Sequence, residues 1–278
     1  MKLTASDSTT HSITLTALDA ANPLAFLASL GALQLLTDHR PGESVRLGWC
    51  QQADGWRPCL DVGSAIDSDQ LVDEITENLE QAGPLVPPSL RQASAEATAR
   101  WAGKLKFPPP AYRQACQGVV EQSRRLTELL ATWATDAATE TDSGQIRAQR
   151  TIWDFTAGNQ SFLEITDAMI KATDRAAIEQ ALFGPWQYTT TAPSLRWDPA
   201  DENRRYAHQA FDPQDGTRNP VTAVVGAQRL ALEGLRFFPL MPQATKVVPV
   251  GFCTDVRPPT FTWPRSEEHT SELQSPSA

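Results

Sequence analysis

The chain has 278 residues, of which 41% are hydrophobic and 21% charged, and its formal net charge is −9. This length can bury a sizeable core, and the composition is that of a globular protein. The charge argues against a protein that coats nucleic acid nonspecifically, because phosphate binding needs a basic surface. No segment approaches the ~18 uninterrupted apolar residues of a membrane span. Residues 1–12 lack the apolar core of a secretory signal, so we expect a cytoplasmic protein.

The first predicted elements are a strand over residues 12–18, where polar and apolar residues alternate, and a helix over residues 23–37. Asn22 is suited to cap this helix, and Pro23 to occupy its first position. Apolar side chains cover nearly the whole circumference, so we expect the helix to be buried. Gly31 at its middle suits the close approach of another backbone.

A β-hairpin is predicted next, with Asp54-Gly55 as its type I′ turn. Residues whose numbers sum to 109 would then pair, which places Cys50 opposite Cys59. A non-hydrogen-bonded pair has Cα atoms about 4.5 Å apart, close enough for a disulfide, but a reducing cytoplasm favours two thiols. Because Pro58 has no N–H for the ladder, we expect the hairpin at a sheet edge.

The middle of the chain is predicted to be helical with one poorly ordered segment. Residues 68–82 have the pattern of an amphipathic helix with a solvated acidic face. Residues 83–110 contain several prolines and few order signals, which predicts a loop-rich insertion. A further helix is predicted over residues 111–138, and a loop over residues 135–145.

The second half repeats this mixture of strands and helices. Its predicted elements are a strand at 151–156, a turn at Gly158-Asn159, a helix from the capping box Ser161–Glu164 to about Lys171, a helix at 174–183, two strands within 194–211, a helix at 220–236, and strands at VVPVGF and FTWP. We therefore predict an α+β fold, with a mainly antiparallel sheet covered by helices, as a single domain over residues 1–264.

Residues 265–278 have a different origin in this interpretation. The stretch RSEEHTSELQS at 265–275 is what the start of a widely used sequencing adapter encodes. Such a segment is excluded from reasoning about the fold. We accordingly expect the native C-terminus to be missing.

Motifs of catalysis and cofactor binding are absent from the sequence. It contains no P-loop, no G-x-G-x-x-G, no G-x-S-x-G and no H-E-x-x-H. The four cysteines form no C-x-x-C pair, so no zinc site is expected. We predict no catalytic residue, no metal and no cofactor.

A metal-dependent nuclease is the enzymatic alternative. It would need converging carboxylates, which Asp154, Asp198 and Asp212 could supply with His208. Each aspartate also has a simpler interpretation, because Asp198 and Asp212 precede prolines and Asp154 is close to a Gly-Asn turn.

The candidate nucleic-acid contact lies in the segment 196–208. Arginines supply phosphate contacts and aromatic rings can stack on bases; the candidate residues are Arg196, Trp197, Arg204, Arg205, Tyr206 and His208. The favoured alternative is a salt-bridged turn in which Arg204 and Arg205 balance Asp201 and Glu202, with Trp197 in the core. Lys104 and Lys106 form a weaker basic spot.

Three segments together, ANPLAFLASLGALQLL, WDFTAGNQSFL, and RWDPADENRRYA followed by VVGAQRLALEGLRFFP, carry a family resemblance. The chain resembles accessory proteins of bacterial type I-G (formerly I-U) CRISPR loci, in particular the family described as an extension of the locus helicase–nuclease, or its sister accessory family. The similarity covers about residues 12–264. None of these motifs is a catalytic signature.

The resemblance implies a role in antiviral defence, as a non-enzymatic component that binds the effector complex or the helicase–nuclease, with RNA or DNA as a further candidate contact. Two alternatives stay open within the same locus. One is the metal-dependent nuclease, and the other is a DNA-recognition subunit of the effector complex.

Overall fold

Helices and antiparallel strand pairs are both present in the computed structural model, which confirms the α+β class. The structure describes residues 11–155, 161–188, 194–199, 223–243, 246–255 and 259–263. In these ranges the helices are α1 (Pro23–His39), α2 (Ser68–Gln81), α3 (Pro88–Ala97), α4 (Pro109–Val119), α5 (Arg124–Trp133), α6 (Phe162–Ala172), α7 (Arg175–Leu182) and α8 (Val225–Gly234). The strands are β1 (His11–Thr14), β2 (Val45–Gln52), β3 (Gly55–Val62), β4 (Ala134–Asp142), β5 (Gln145–Arg150), β6 (Leu240–Gln243), β7 (Lys246–Pro249), β8 (Phe252–Cys253) and β9 (Thr260–Phe261).

The antiparallel strands form one three-stranded sheet and three hairpins. The sheet has the order β1-β3-β2, and the hairpins are β4–β5, β6–β7 and β8–β9. Among the described helices, none is long and apolar enough to cross a membrane.

Helix α1 forms as the sequence predicts and packs against α2, α8 and β2. The Asn22 side chain accepts hydrogen bonds from the amides of Leu24 and Ala25, at 2.8 and 3.3 Å, and Pro23 occupies the first turn. Buried residues lie all around the helix, which confirms that it is a core element.

Glycines allow α1 and α8 to pack backbone against backbone. A Cβ atom at Gly31 would lie 1.9 Å from the Leu230 carbonyl oxygen, and one at Gly234 would lie 2.0 Å from the Leu27 carbonyl oxygen. Real Cβ atoms do not approach an oxygen so closely, so both positions require glycine. The close approach predicted at Gly31 is therefore confirmed, and every residue of α8 is buried.

The β2–β3 hairpin forms, but its register differs from the prediction by two residues. Gln52 pairs with Gly55, so Ala53-Asp54 is the two-residue loop and paired numbers sum to 107 instead of 109. Leu47 consequently lies opposite Leu60. A shift of two residues keeps every side chain on its own face, so hydrophobic alternation does not distinguish the two registers.

Pro58 lies on the central strand β3, while its hairpin partner β2 lies at the sheet edge, so the edge prediction holds for β2 but is wrong for the strand that carries the proline. The carbonyl oxygen of Pro58 faces β1 and accepts the Leu15 amide at 2.8 Å, just beyond the end of that strand. A residue other than proline at position 58 would donate its amide to the Leu15 carbonyl. That carbonyl accepts the Leu18 amide instead, at 3.2 Å. Proline is tolerated here because β1 ends where its N–H would be needed.

The segment 83–110 is more ordered than its composition indicated. It contains helix α3 and a 3-10 turn at Ala99–Trp101, and it contributes Leu85, Val86, Leu90 and Phe107 to the core. The prediction of a loop-rich insertion was wrong for this segment. Prolines at the first turns of α3 and α4 start helices, since that position needs no amide donor.

Between residues 111 and 155 the predicted boundaries fail for a common reason. The single helix predicted over 111–138 is two helices, α4 and α5, and the loop predicted over 135–145 belongs to the hairpin β4–β5. Ser143-Gly144, with φ of 52° and 81°, makes its type I′ turn. Residues 151–155, predicted as a strand, follow β5 as turns.

Later elements agree better with prediction. Helices α6, α7 and α8 form near the predicted ranges, and β7, β8 and β9 supply the expected strands, whereas β6 was not predicted. Ser161 makes no capping hydrogen bond; the Leu163 amide donates instead to the Gly103 carbonyl at 2.8 Å, so the predicted capping box was wrong. Residues 194–199 contain no strand; the rest of the strand pair predicted over 194–211 and the Gly158-Asn159 turn lie outside the described residues.

Candidate partner-binding site around Arg196

The segment 194–199 is held at each end by a hydrogen-bonded group that we call a clamp. The first clamp, at the C-terminal end, is formed by the buried Asp198 with Asn22 and Tyr188. Asp198 is 2% exposed and accepts hydrogen bonds from the Asn22 side-chain amide at 2.9 Å and from the Tyr188 hydroxyl at 2.7 Å. Asn22 also caps α1, so the same side chain fixes both the helix and this segment.

A second clamp holds the N-terminal end of the segment to helix α8. The Gln228 amide oxygen accepts the Leu195 backbone N–H at 2.8 Å, and its Nε2 donates to Ser194 Oγ at 3.0 Å. Ser194 Oγ also accepts the Arg196 backbone N–H at 2.9 Å. Gln228 is buried, so this clamp is part of the core.

Arg196 lies between the two clamps in a left-handed backbone conformation, with φ of 63°. This conformation is uncommon for residues other than glycine and costs about 1–3 kcal/mol, so surrounding contacts must hold it. The side chain is half-buried, and its guanidinium forms no hydrogen bond or ion pair with any other described residue. The clamps thus fix the backbone of Arg196, while its guanidinium has no partner among the described residues.

Trp197, the aromatic candidate for base stacking, lies in the core. It is 3% exposed, its Nε1 donates to the Trp153 carbonyl at 3.1 Å, and its ring packs edge-on against Trp153. The ring therefore cannot stack on a base, so the candidate stacking role is wrong for this residue and the favoured core position is confirmed. Arg204, Arg205, Tyr206 and His208 lie outside the described residues, so their proposed contacts stay predictions.

Two carboxylates of the nuclease alternative, Asp154 and Asp198, are engaged in structural contacts. Asp154 pairs with Arg150, and its side chain is 2% exposed. Asp198 holds the clamp to Asn22, while Asp212 and His208 lie outside the described ranges. In the part of the chain that the structure describes, no group of three or more His, Cys, Asp or Glu side chains is arranged to hold a metal ion.

The weaker basic spot is also engaged, at Lys106. Its ammonium group forms an ion pair with Asp142, which also accepts a hydrogen bond from Trp101 Nε1 at 3.0 Å. The Lys106 hydrogen bond holds the pKa of Asp142 at about 2, below its usual value. Lys106 is therefore part of a local structural contact.

A shallow groove of about 430 Å³ separates α3 from α4. Its walls carry small and uncharged side chains: Ser89, Ala93, Ala111, Ala115, Gly118 and Gln122. The groove contains no charged group that would orient a ligand, so it does not compete with Arg196 as a site.

Helix α8, which carries Gln228, is supported by buried charges that sequence analysis did not anticipate. Glu233 is 0% exposed and accepts hydrogen bonds from Arg125 Nη2 at 2.7 Å and from Arg229 Nη1 at 2.9 Å. These three residues and the three that pair with them through Arg236 form one network, which we call the α8 ion cluster: Asp38, Arg125, Glu128, Arg229, Glu233 and Arg236. The i, i+4 spacing of Arg229 and Glu233 within an apolar helix was the available signal.

Arg236 extends the α8 ion cluster toward α1 and α5. Its Nη1 is 2.6 Å from Asp38 Oδ2, and its Nη2 is 2.6 Å from Glu128 Oε2. Burial alone would raise the pKa of Glu233, but Arg229 and Arg125 outweigh it and hold that pKa at about 2. Buried charges persist only when paired in this way.

We expect acid to weaken the protein through Glu233. Its folded-state pKa of about 2 lies below the ordinary 4.5, so its contribution to the free energy of unfolding is complete above about pH 4.5 and is lost as the pH falls through about 2. Urea denaturation of the unmodified protein and of Glu233→Gln at several pH values between about 7 and 3 measures this. The difference between the two should shrink as the pH falls; a constant difference would contradict the assignment.

Comparison of the chain with protein-family models, curated proteins and solved structures gave no match.

Proposed function

We propose that this chain is a non-enzymatic accessory component of a bacterial type I-G CRISPR antiviral system. In this proposal it acts in the cytoplasm by binding a subunit of the effector complex or of the helicase–nuclease. The three segments that resemble type I-G accessory proteins support the pathway. The observation that supports the binding role is Arg196, clamped on both sides and unpaired within the described residues.

The chemistry of an arginine identifies the kind of group that Arg196 would contact. A guanidinium carries several N–H donors and forms its strongest hydrogen bonds with carboxylates and phosphates. Because the segment that carries it is anchored in the core, little backbone freedom is lost when a partner binds. An acidic side chain of a protein partner is the contact that we propose, and a nucleic-acid phosphate is its alternative.

Replacing Arg196 by glycine should remove binding without harming the fold. Glycine adopts a positive φ without strain, so Arg196→Gly should leave the melting temperature unchanged or slightly higher. The tagged chain, expressed together with the proteins of a type I-G locus, should retain its partner subunits when unmodified and lose them in the variant. Mass spectrometry of the co-purified proteins is the measurement.

Arg46→Ala is the matched control, because Arg46 is exposed on β2, far along the chain from the clamps. It should co-purify like the unmodified protein. Full retention of partners by Arg196→Gly would contradict the proposed contact. If the chain binds duplex DNA in a salt-dependent way and Arg196→Gly weakens that binding, the DNA-recognition alternative is favoured. If the chain cleaves nucleic acid in the presence of a divalent metal and Asp154→Ala abolishes the cleavage, the nuclease alternative is favoured.

A further inference from the structure

The two cysteines of the β2–β3 hairpin are joined by a disulfide as diagonal neighbours. In the observed register Cys50 lies opposite Arg57, and Cys59 lies opposite Gly48. The Cα atoms of the cysteines are 6.3 Å apart, within the range that a disulfide spans. Gly48 leaves the position opposite Cys59 without a side chain, and a Cβ atom there would meet no atom within 4 Å. The Cys50 side chain can therefore reach across the strands, and the space beside it is open.

The two cysteines differ in accessibility. Cys59, on the central strand, is 2% exposed, whereas Cys50, on the outer strand β2, is only partly buried. An external thiol or disulfide would consequently react at Cys50. Cys59 Sγ lies 3.4 Å from Thr14 Oγ1 and 3.9 Å from the Arg57 carbonyl oxygen, so a reduced Cys59 thiol also has hydrogen-bond partners.

A positively charged residue lies opposite Cys50 on β3. Arg57 is its cross-strand partner, and side chains paired in this way have Cβ atoms about 5 Å apart. The Arg57 guanidinium is shared with Asp54, at 2.7 Å, and Asp19, at 3.7 Å. A neighbouring guanidinium stabilises the thiolate, which is the form of cysteine that attacks a disulfide.

We propose that Cys50 and Cys59 are a reversible thiol–disulfide switch that exchanges with low-molecular-weight disulfides such as oxidised glutathione. The Cys50 thiolate attacks one sulfur of the external disulfide, forming a mixed disulfide and releasing one thiolate. Cys59 then loses its proton to solvent and attacks Cys50 Sγ, which closes the protein disulfide and releases the second thiolate. The cysteine pair loses two electrons and two protons, and the external disulfide is reduced to two thiols.

Closing the switch ties β2 to the central strand β3, and opening it leaves the hairpin held by backbone hydrogen bonds and packing alone. The switch does not depend on the proposed role in CRISPR defence. The structure contains the disulfide, contrary to the expectation of two thiols; in the proposed switch, a reducing compartment would populate the thiol state of the same hairpin.

The experiment equilibrates the full chain in buffers of graded reduced-to-oxidised glutathione ratio, then acidifies and alkylates it. Mass spectrometry of the peptides that contain Cys50 and Cys59 counts free thiols, and the melting temperature is recorded for each mixture. We expect a single cooperative transition from two alkylated cysteines to none, with a higher melting temperature in the oxidised form. Two alkylated cysteines at every ratio, or a disulfide that excess reduced glutathione never opens in the folded protein, would overturn the proposal.

Three variants separate this pair from the other cysteines and from general charge effects. Cys116→Ser with Cys253→Ser removes the two free cysteines and should leave the transition unchanged. In the reduced protein, Arg57→Gln should slow the alkylation of Cys50 severalfold, whereas Arg46→Gln, which removes the same charge from β2, should not. Equal rates in all three proteins would contradict the assigned role of Arg57.

Discussion

Glu233→Gln should destabilise the protein by about 3–5 kcal/mol, among the largest effects of any single substitution that the structure predicts. The Glu233 carboxylate is buried and accepts hydrogen bonds from Arg125 and Arg229. A neutral amide cannot compensate the charge of Arg229, which is 2% exposed. Removal of one partner therefore leaves a buried charge unpaired, which costs far more than loss of a surface ion pair.

Urea denaturation near neutral pH measures this difference, and Glu77→Gln provides the control. Glu77 is exposed on α2, so the same substitution there should change the free energy of unfolding by less than about 0.5 kcal/mol. A loss below about 1 kcal/mol for Glu233→Gln would show that the α8 ion cluster is replaceable, contrary to its burial.

Gly31→Ala should destabilise the protein by about 2 kcal/mol or more, although alanine is the better helix former. The added methyl group would lie 1.9 Å from the Leu230 carbonyl oxygen, so α1 and α8 would have to move apart. Since α8 is buried along its whole length, separation of the two helices would disturb the packing on its other sides.

The matched control is Gly118→Ala in helix α4, where a Cβ atom would meet nothing within 4 Å. This substitution should stabilise the protein by up to about 1 kcal/mol, the difference in helix propensity. Denaturation of the two variants side by side gives the comparison. Equal effects at Gly31 and Gly118 would mean that the helix crossing is looser than its geometry indicates.

The elements that the sequence predicts correctly are those whose signals lie within the element. Helix α1 has its own cap and starting proline, and α2 has the amphipathic pattern and a capping box at Asp67. The hairpin β2–β3 was located from the Asp54-Gly55 signal, although its loop is Ala53-Asp54; its register was not predicted, because both registers keep the apolar residues on one face.

The failures lie where distant contacts decide the local structure. Residues 135–145 are polar and look like a loop, yet they pair as a hairpin whose β5 strand is held by a hydrogen bond from the Ala148 amide to the Phe107 carbonyl, at 2.9 Å. The segment 83–110 supplies buried side chains despite its prolines. Neither the hydrogen bond between Ala148 and Phe107 nor the burial of side chains from 83–110 has a signature in the sequence of its own segment.

In the candidate site, too, the residue types can be read from the sequence, whereas the distant contacts that position them cannot. Arginine chemistry singled out Arg196 from the sequence, but its left-handed backbone depends on clamps from Asn22 and Gln228, which are remote in sequence. Residue type left Trp197 between a stacking role and the favoured core position, and the packing against Trp153 shows that it is a core residue. Residue type thus selects candidate residues for the site, whereas the way they are presented is a tertiary property.

The central claim is that Arg196 is held in position to bind a partner. Its most direct test is the Kd of the purified chain for the purified type I-G effector complex, measured for the unmodified protein, Arg196→Gly and Arg46→Ala. We predict that Arg196→Gly weakens binding about thirtyfold, as expected for a central interface arginine, while Arg46→Ala changes it less than about threefold. An unchanged Kd for Arg196→Gly, in a variant that melts like the unmodified protein, would contradict the claim.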